Sequence, residues 1–164
     1  MRRMGTVFAA LALATAGLAA PAATAQASTK AAGCADLWPG RNGNVYAWRD
    51  VDCGGTRLGA TAGNDLNWHD GSGEFTGSDG DNASSVMNAG TIGGRDVVAF
   101  YRNAGGDHTA GYGCLAPGEL YADWLGDNRY FVPGTGQIST TMENTISSHV
   151  WVYAAGCPSG SWIT

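Results

Sequence analysis

Side chains able to do chemistry are sparse in this sequence. The three histidines, His69, His108 and His149, stand in unrelated contexts, with no HExxH, GxSxG or glycine-rich phosphate loop around them. A triad or a carboxylate pair drawn from Asp65, Asp70 and Glu74 would assemble only in space, so the expectation is a protein that is not an enzyme. Four cysteines, Cys34, Cys53, Cys114 and Cys157, have no close CxxC spacing and therefore read as disulfides rather than a zinc site. Oxygen-bearing side chains concentrate in two tails, GDNASSV at 80–86 and ENTISSHV at 143–150. Asp, Asn and Ser in such runs hydrogen-bond nearby backbone groups and can cap a loop where it enters a strand.

Each tail ends a longer unit. Val45, Trp48, Arg49 and Asp50 match Val98, Tyr101, Arg102 and Asn103, and Ser84 and Ser85 match Ser147 and Ser148. The chain therefore contains two copies of one element, at about 34–90 and 96–153, and each needs its twin to cover a hydrophobic face. Helical periodicity is absent, while glycine turns punctuate short β-branched and aromatic runs. The reading is an all-β sandwich with strands at 45–49, 56–60, 84–88, 96–101, 113–116, 130–132 and 148–153, each at most half buried. Segment 63–80 has little strand propensity and reads as a loop or a single helical turn, a length often tied to function.

Arg2 and Arg3, an apolar run over 7–20 and small residues around Ala23 to Ala27 read as a signal peptide over 1–27, followed by a flexible lead-in at 28–33 and one domain at 34–164. Without Arg2 and Arg3, 7 basic residues face 14 acidic ones, a net charge of −7. With no basic stripe, neither nucleic acid nor a membrane surface is expected as partner. The expectation is a secreted, extracellular monomer. Four cysteines allow three connectivities; Cys34 with Cys53 and Cys114 with Cys157 is expected because each pair stays within one repeat. Of the six tryptophans, Trp48 and Trp151 fall in expected strands, which leaves Trp68 and Trp124 on loops as contact candidates.

The repeat, the run AFYRNAGGD leading to GCLAPGELYADW, and the two Ser-Ser tails resemble the βγ-crystallin fold. Within it they resemble the secreted bacterial peptidase inhibitors of the Streptomyces metalloproteinase inhibitor type. The resemblance covers about residues 34–153 and implies a sandwich of two Greek-key motifs and a protein that inhibits an extracellular peptidase, most specifically a thermolysin-type metallopeptidase. It also implies calcium, which takes six to eight oxygen ligands, from the Asp81 and Asn144 side chains, the Asn82 and Thr145 carbonyls and the Ser84 and Ser147 hydroxyls. Both tails depart from the family motif at its first position, where Gly80 and Glu143 stand. The alternative function is a calcium-binding structural or cell-envelope module with no enzyme target. The family's inhibitory loop has no residue-level match here; segment 63–80, with Trp68 and Phe75 as anchors, is the expected contact, and the arm over 120–136 is the next.

Overall fold

The computed structural model describes residues 32–164, so the expected signal peptide and most of the lead-in lie outside the described residues. Nine strands form, all antiparallel: β1 Asn44–Trp48, β2 Arg57–Thr61, β3 Ser85–Ala89, β4 Val97–Tyr101, β5 Tyr112–Leu115, β6 Tyr121–Ala122, β7 Arg129–Val132, β8 Gly136–Thr141 and β9 Ser148–Val152. One sheet runs β2-β1-β3-β6 and the other β8-β7-β5-β4-β9. All seven expected strands are present within a residue or two of their expected bounds. The short β6 and the polar edge strand β8 are additional.

The strand order shows two Greek keys that exchange their third arms. In the first repeat β1 lies between β2 and β3, and in the second β4 lies between β5 and β9. The third arm of the second repeat, β6, crosses to pair with β3 through Val86–Ala122 and Met87–Tyr121. In return, Asp65 of the first repeat bridges to His149 on β9, with backbone N–H···O distances of 3.1 and 2.8 Å. The β7–β8 hairpin is inserted before β9 and widens the second sheet. The result is an all-β sandwich of two Greek-key motifs, the architecture that the resemblance implies.

Alternation along the strands builds three apolar layers rather than one. Val45, Ala47 and Val86 from the first sheet meet Val98, Phe100 and Leu115 from the second to form the central core. The intervening residues do not face water, as half-buried strands would require. Tyr46, Trp48 and Met87 pack beneath Cys34 and Cys53, and Val97, Ala99 and Tyr112 pack beneath Cys114 and Cys157. The disulfides are Cys34–Cys53 and Cys114–Cys157, 19 and 43 residues apart in sequence, and no described cysteine is free. The expectation of half-buried strands is corrected for β1, β3, β4 and β5, because the segments carrying Cys34 and Cys157 cover their outer faces. Both bridges suit an oxidising compartment, and among the described residues no helix is long and apolar enough to cross a membrane.

Candidate functional site

The two tails meet across a pseudo-twofold axis, and corresponding atoms make corresponding bonds. Asp81 N–H donates to the Ile146 carbonyl (2.9 Å), and Asn144 N–H donates to the Ala83 carbonyl (2.8 Å). Asp81 and Asn144 take left-handed backbone angles, φ 57° and 53°, which short polar side chains tolerate better than most. Ser84 N–H donates to the Trp48 carbonyl and Ser147 N–H to that of Tyr101, both at 2.9 Å. The second serine of each tail is structural. Ser85 and Ser148 hydroxyls donate to the Asp50 and Asn103 carbonyls, both at 2.7 Å, and accept from Cys53 and Gly106 N–H at 3.0 and 3.2 Å. Each hydroxyl therefore closes the hairpin of its own repeat.

The first serine of each tail instead faces the opposite tail. Ser84 Oγ lies 3.3 Å from Glu143 Oε1 and 3.4 Å from Asn144 Oδ1. Ser147 Oγ lies 3.3 Å from Asp81 Oδ1, donates to the Arg102 carbonyl at 2.8 Å, and is 3.0 Å from His69 Nε2. His69 Nε2 is also 3.8 Å from Asp81 Oδ2.

The fold pairs the tails as the sequence symmetry implies, but the two clusters differ in chemistry. Trp68 and Leu125 are equivalent, since their N–H groups bond the Ser147 and Ser84 carbonyls at 2.9 Å. His69 therefore corresponds to Gly126, and Gly80 to Glu143. A Cβ at Gly80 would overlap the His69 ring, and one at Gly126 would overlap the Glu143 carboxyl. Each cluster has room for one large side chain between these two positions, an imidazole in the first and a carboxylate in the second. Both residues escaped the sequence reading as site members. The departures at motif position one, Gly80 and Glu143, were the available signal.

One expected ligand is otherwise engaged: the Thr145 carbonyl accepts from the Tyr130 hydroxyl at 2.9 Å. The Asn82 side chain turns back on its own loop, Nδ2 donating to the Ser78 and Gly80 carbonyls at 2.6 and 3.0 Å. Burial raises the Tyr130 phenol well above its ordinary value, so it remains a proton donor to that carbonyl. Among the described residues, no group of three or more His, Cys, Asp and Glu side chains converges as a metal-binding set. Asp65 is buried and accepts from Asn67 and Phe75 N–H, Asp70 is held in a turn by Ser72, and Glu74 is exposed.

Trp68 and Phe75 are fully buried and stacked, with ring centroids 4.1 Å apart. The expectation that they anchor a partner is corrected: segment 63–80 folds inward as the exchanged third arm and supplies core. Trp68 Nε1–H donates to His149 Nδ1 (3.0 Å), which leaves His149 Nε2–H to donate to the Gly63 carbonyl (3.0 Å). Burial, partly offset by the Gly63 bond and by Asp65, lowers the His149 pKa to about 4.

Trp124 is the loop tryptophan that does reach solvent, 48 % exposed, at the end of β6. Its Nε1–H donates to Glu143 Oε2 (2.8 Å), so one carboxyl group ties the exposed ring to the Ser84 cluster. Val51, also 48 % exposed, lies beside it with Asp52 and Asp123 around a shallow recess of about 430 Å³. Asp52 N–H donates to the Asp123 carbonyl (2.7 Å), which joins the first-repeat hairpin to the second-repeat arm.

No family model matches the chain, and neither does any curated protein. A solved structure from work on the evolution of the eye lens beta-gamma-crystallin domain fold is 18 % identical, with a TM-score of 0.44 over 68 % of this chain and 86 % of that one. The Greek-key description rests on the strand order and arm exchange given above.

Proposed function

We propose that this protein is a secreted, non-enzymatic binding protein that occludes an extracellular peptidase. The observation that carries the reading is Trp124: a large, half-exposed ring held on a disulfide-braced β scaffold, with its polar edge fixed by Glu143. A ring already ordered in the free protein loses little freedom on docking, which favours tight association. The contact falls on the arm over 120–136, since the segment over 63–80 spends its aromatic rings on the core. The choice of a thermolysin-type metallopeptidase comes from the sequence resemblance. The test is to incubate the mature protein with a thermolysin-like enzyme and a serine protease in parallel. Selective inhibition of the first is expected, weakened at least about tenfold by Trp124→Ala, the scale of an interfacial tryptophan. Inhibition of neither enzyme removes the reading.

A second reading, calcium binding, is favoured by the Ser84, Glu143 and Asn144 cluster, whose converging side-chain atoms are all oxygens. These groups fit a hard cation, and backbone carbonyls or water would complete its shell. The cluster containing His69 fits poorly, because its largest side chain offers nitrogen. The reading is therefore one ion per chain rather than two. Extracellular calcium modules commonly have dissociation constants of roughly 10⁻⁴ to 10⁻³ M. At ten times that constant the ion adds about 1.4 kcal/mol to stability. A melting temperature that rises from chelator to millimolar calcium supports the site, and an unchanged one removes it.

A further inference from the structure

The chain covers aromatic rings with its own arginines. Arg41 lies over Trp38 at 5.0 Å from the ring centroid, Arg57 over Tyr46 at 5.9 Å, and Arg95 over Tyr153 at 5.6 Å. Among the described residues Trp124 has no such cation. Arg129, five residues on, donates its guanidinium to the carbonyls of Gly126 and Asn128 at 3.0 and 3.5 Å. The surroundings of Trp124 are acidic: Asp52 and Asp123 line the recess, and the ion pair among the described residues is elsewhere, between His69 and Asp81. The hydrogen bond from the indole to the Glu143 carboxyl also pushes electron density into the ring, which strengthens its attraction for a cation on its face.

We propose that the recess formed by Val51, Asp52, Asp123 and Trp124 receives an arginine side chain of the partner protein. The guanidinium stacks on Trp124, its N–H groups reach Asp52 and Asp123, and Val51 covers the aliphatic stem. Arginine suits the site better than lysine because its flat, weakly hydrated head can stack on an indole and bond two carboxylates at once. The net negative charge of the chain favours approach by a basic surface. This inference rests on the reading that the Trp124 face meets an extracellular protein and specifies the chemistry it meets there.

The test follows the Trp124 indole N–H resonance of the ¹⁵N-labelled mature chain during titration with three blocked tripeptides: acetyl-Gly-Arg-Gly-amide and its Leu and Glu counterparts. The arginine peptide should move that resonance, with affinity about fivefold above the leucine peptide, and the glutamate peptide should leave it in place. Raising salt to about 0.5 M should weaken the response. Asp123→Lys should abolish it while the backbone amide spectrum keeps its dispersion, which separates lost recognition from lost folding. Equal responses to arginine and glutamate, or shifts confined to other residues, overturn the proposal. So does movement of the Trp124 resonance with protein concentration alone, which would make a second copy the occupant. Peptidase inhibition is read separately. Arginine binding without inhibition removes only the enzyme target, and inhibition without arginine binding removes only the recess assignment.

Discussion

His149 shows how much of this fold depends on one side chain remaining neutral. It sits among Trp68, Phe75 and Phe100, accepts from one ring N–H and donates to one carbonyl, so a second proton would leave a buried charge facing the Trp68 donor. Its pKa is lowered from 6.5 to about 4, chiefly by burial. The unfolded chain therefore takes up a proton as pH falls through about 6.5 while the native chain does not. Stability present above that pH is lost progressively down to about 4, by roughly 3 kcal/mol in all. Denaturant unfolding at pH 7 and pH 4 measures the loss. For His149→Gln the stability gap from the parent should be widest at pH 7 and narrow toward pH 4, and a constant gap would contradict this account. Nothing local in the sequence announced the role. A histidine next to two serines and a tryptophan in a polar loop are brought together only by the exchange of arms.

The tails were legible because their chemistry is local: a left-handed Asp or Asn followed at fixed spacing by two serines does the same backbone work in both copies. Their difference was not, because the residues that decide it, His69 and Gly126, lie outside the tails, on the arms that precede them and that only the fold lays against them. On the one-ion reading proposed above, a calcium-dependent gain in melting temperature should disappear in Glu143→Gln and persist in Asp81→Asn. Equal loss in both variants would mean that the clusters act alike. Combining His69→Gly with Gly80→Glu exchanges the large side chain in the first cluster for a carboxylate and should create a second calcium site, read as a change in stoichiometry by calorimetry. Among the strands, β6 was missed because two residues carry no period, and β8 because an edge strand with one face in water can be built from Gln, Ser and Thr.

At the scale of the molecule, two small covers over the outer faces of the sheets make up for a limited core. Each is pinned by a disulfide to the hairpin it protects, and the repeat alignment was enough to anticipate both pairs. Burial on both faces was not anticipated, since the covering segments are short and irregular and carry no strand signal. Replacing Cys34 and Cys53 together by Ala should cost roughly 3 kcal/mol, and replacing Cys114 and Cys157 somewhat more because the closed loop is longer. Denaturant midpoints check the order. If both pairs cost nothing, the covers are held by packing alone.

The exchanged arms give the molecule a tolerance to being cut. Thr91 to Arg95 form an exposed link between the repeats, and each disulfide lies wholly within one repeat, so no covalent bond other than this link joins the described halves. Yet β6 completes the first sheet and the Asp65 arm lies against the second, so neither half can leave without opening the other. A chain nicked after Arg95 should elute from a sizing column as one intact particle and separate into two pieces only in denaturant. Under the peptidase-binding role proposed above, this exposed link between the repeats is then one the protein can lose without coming apart.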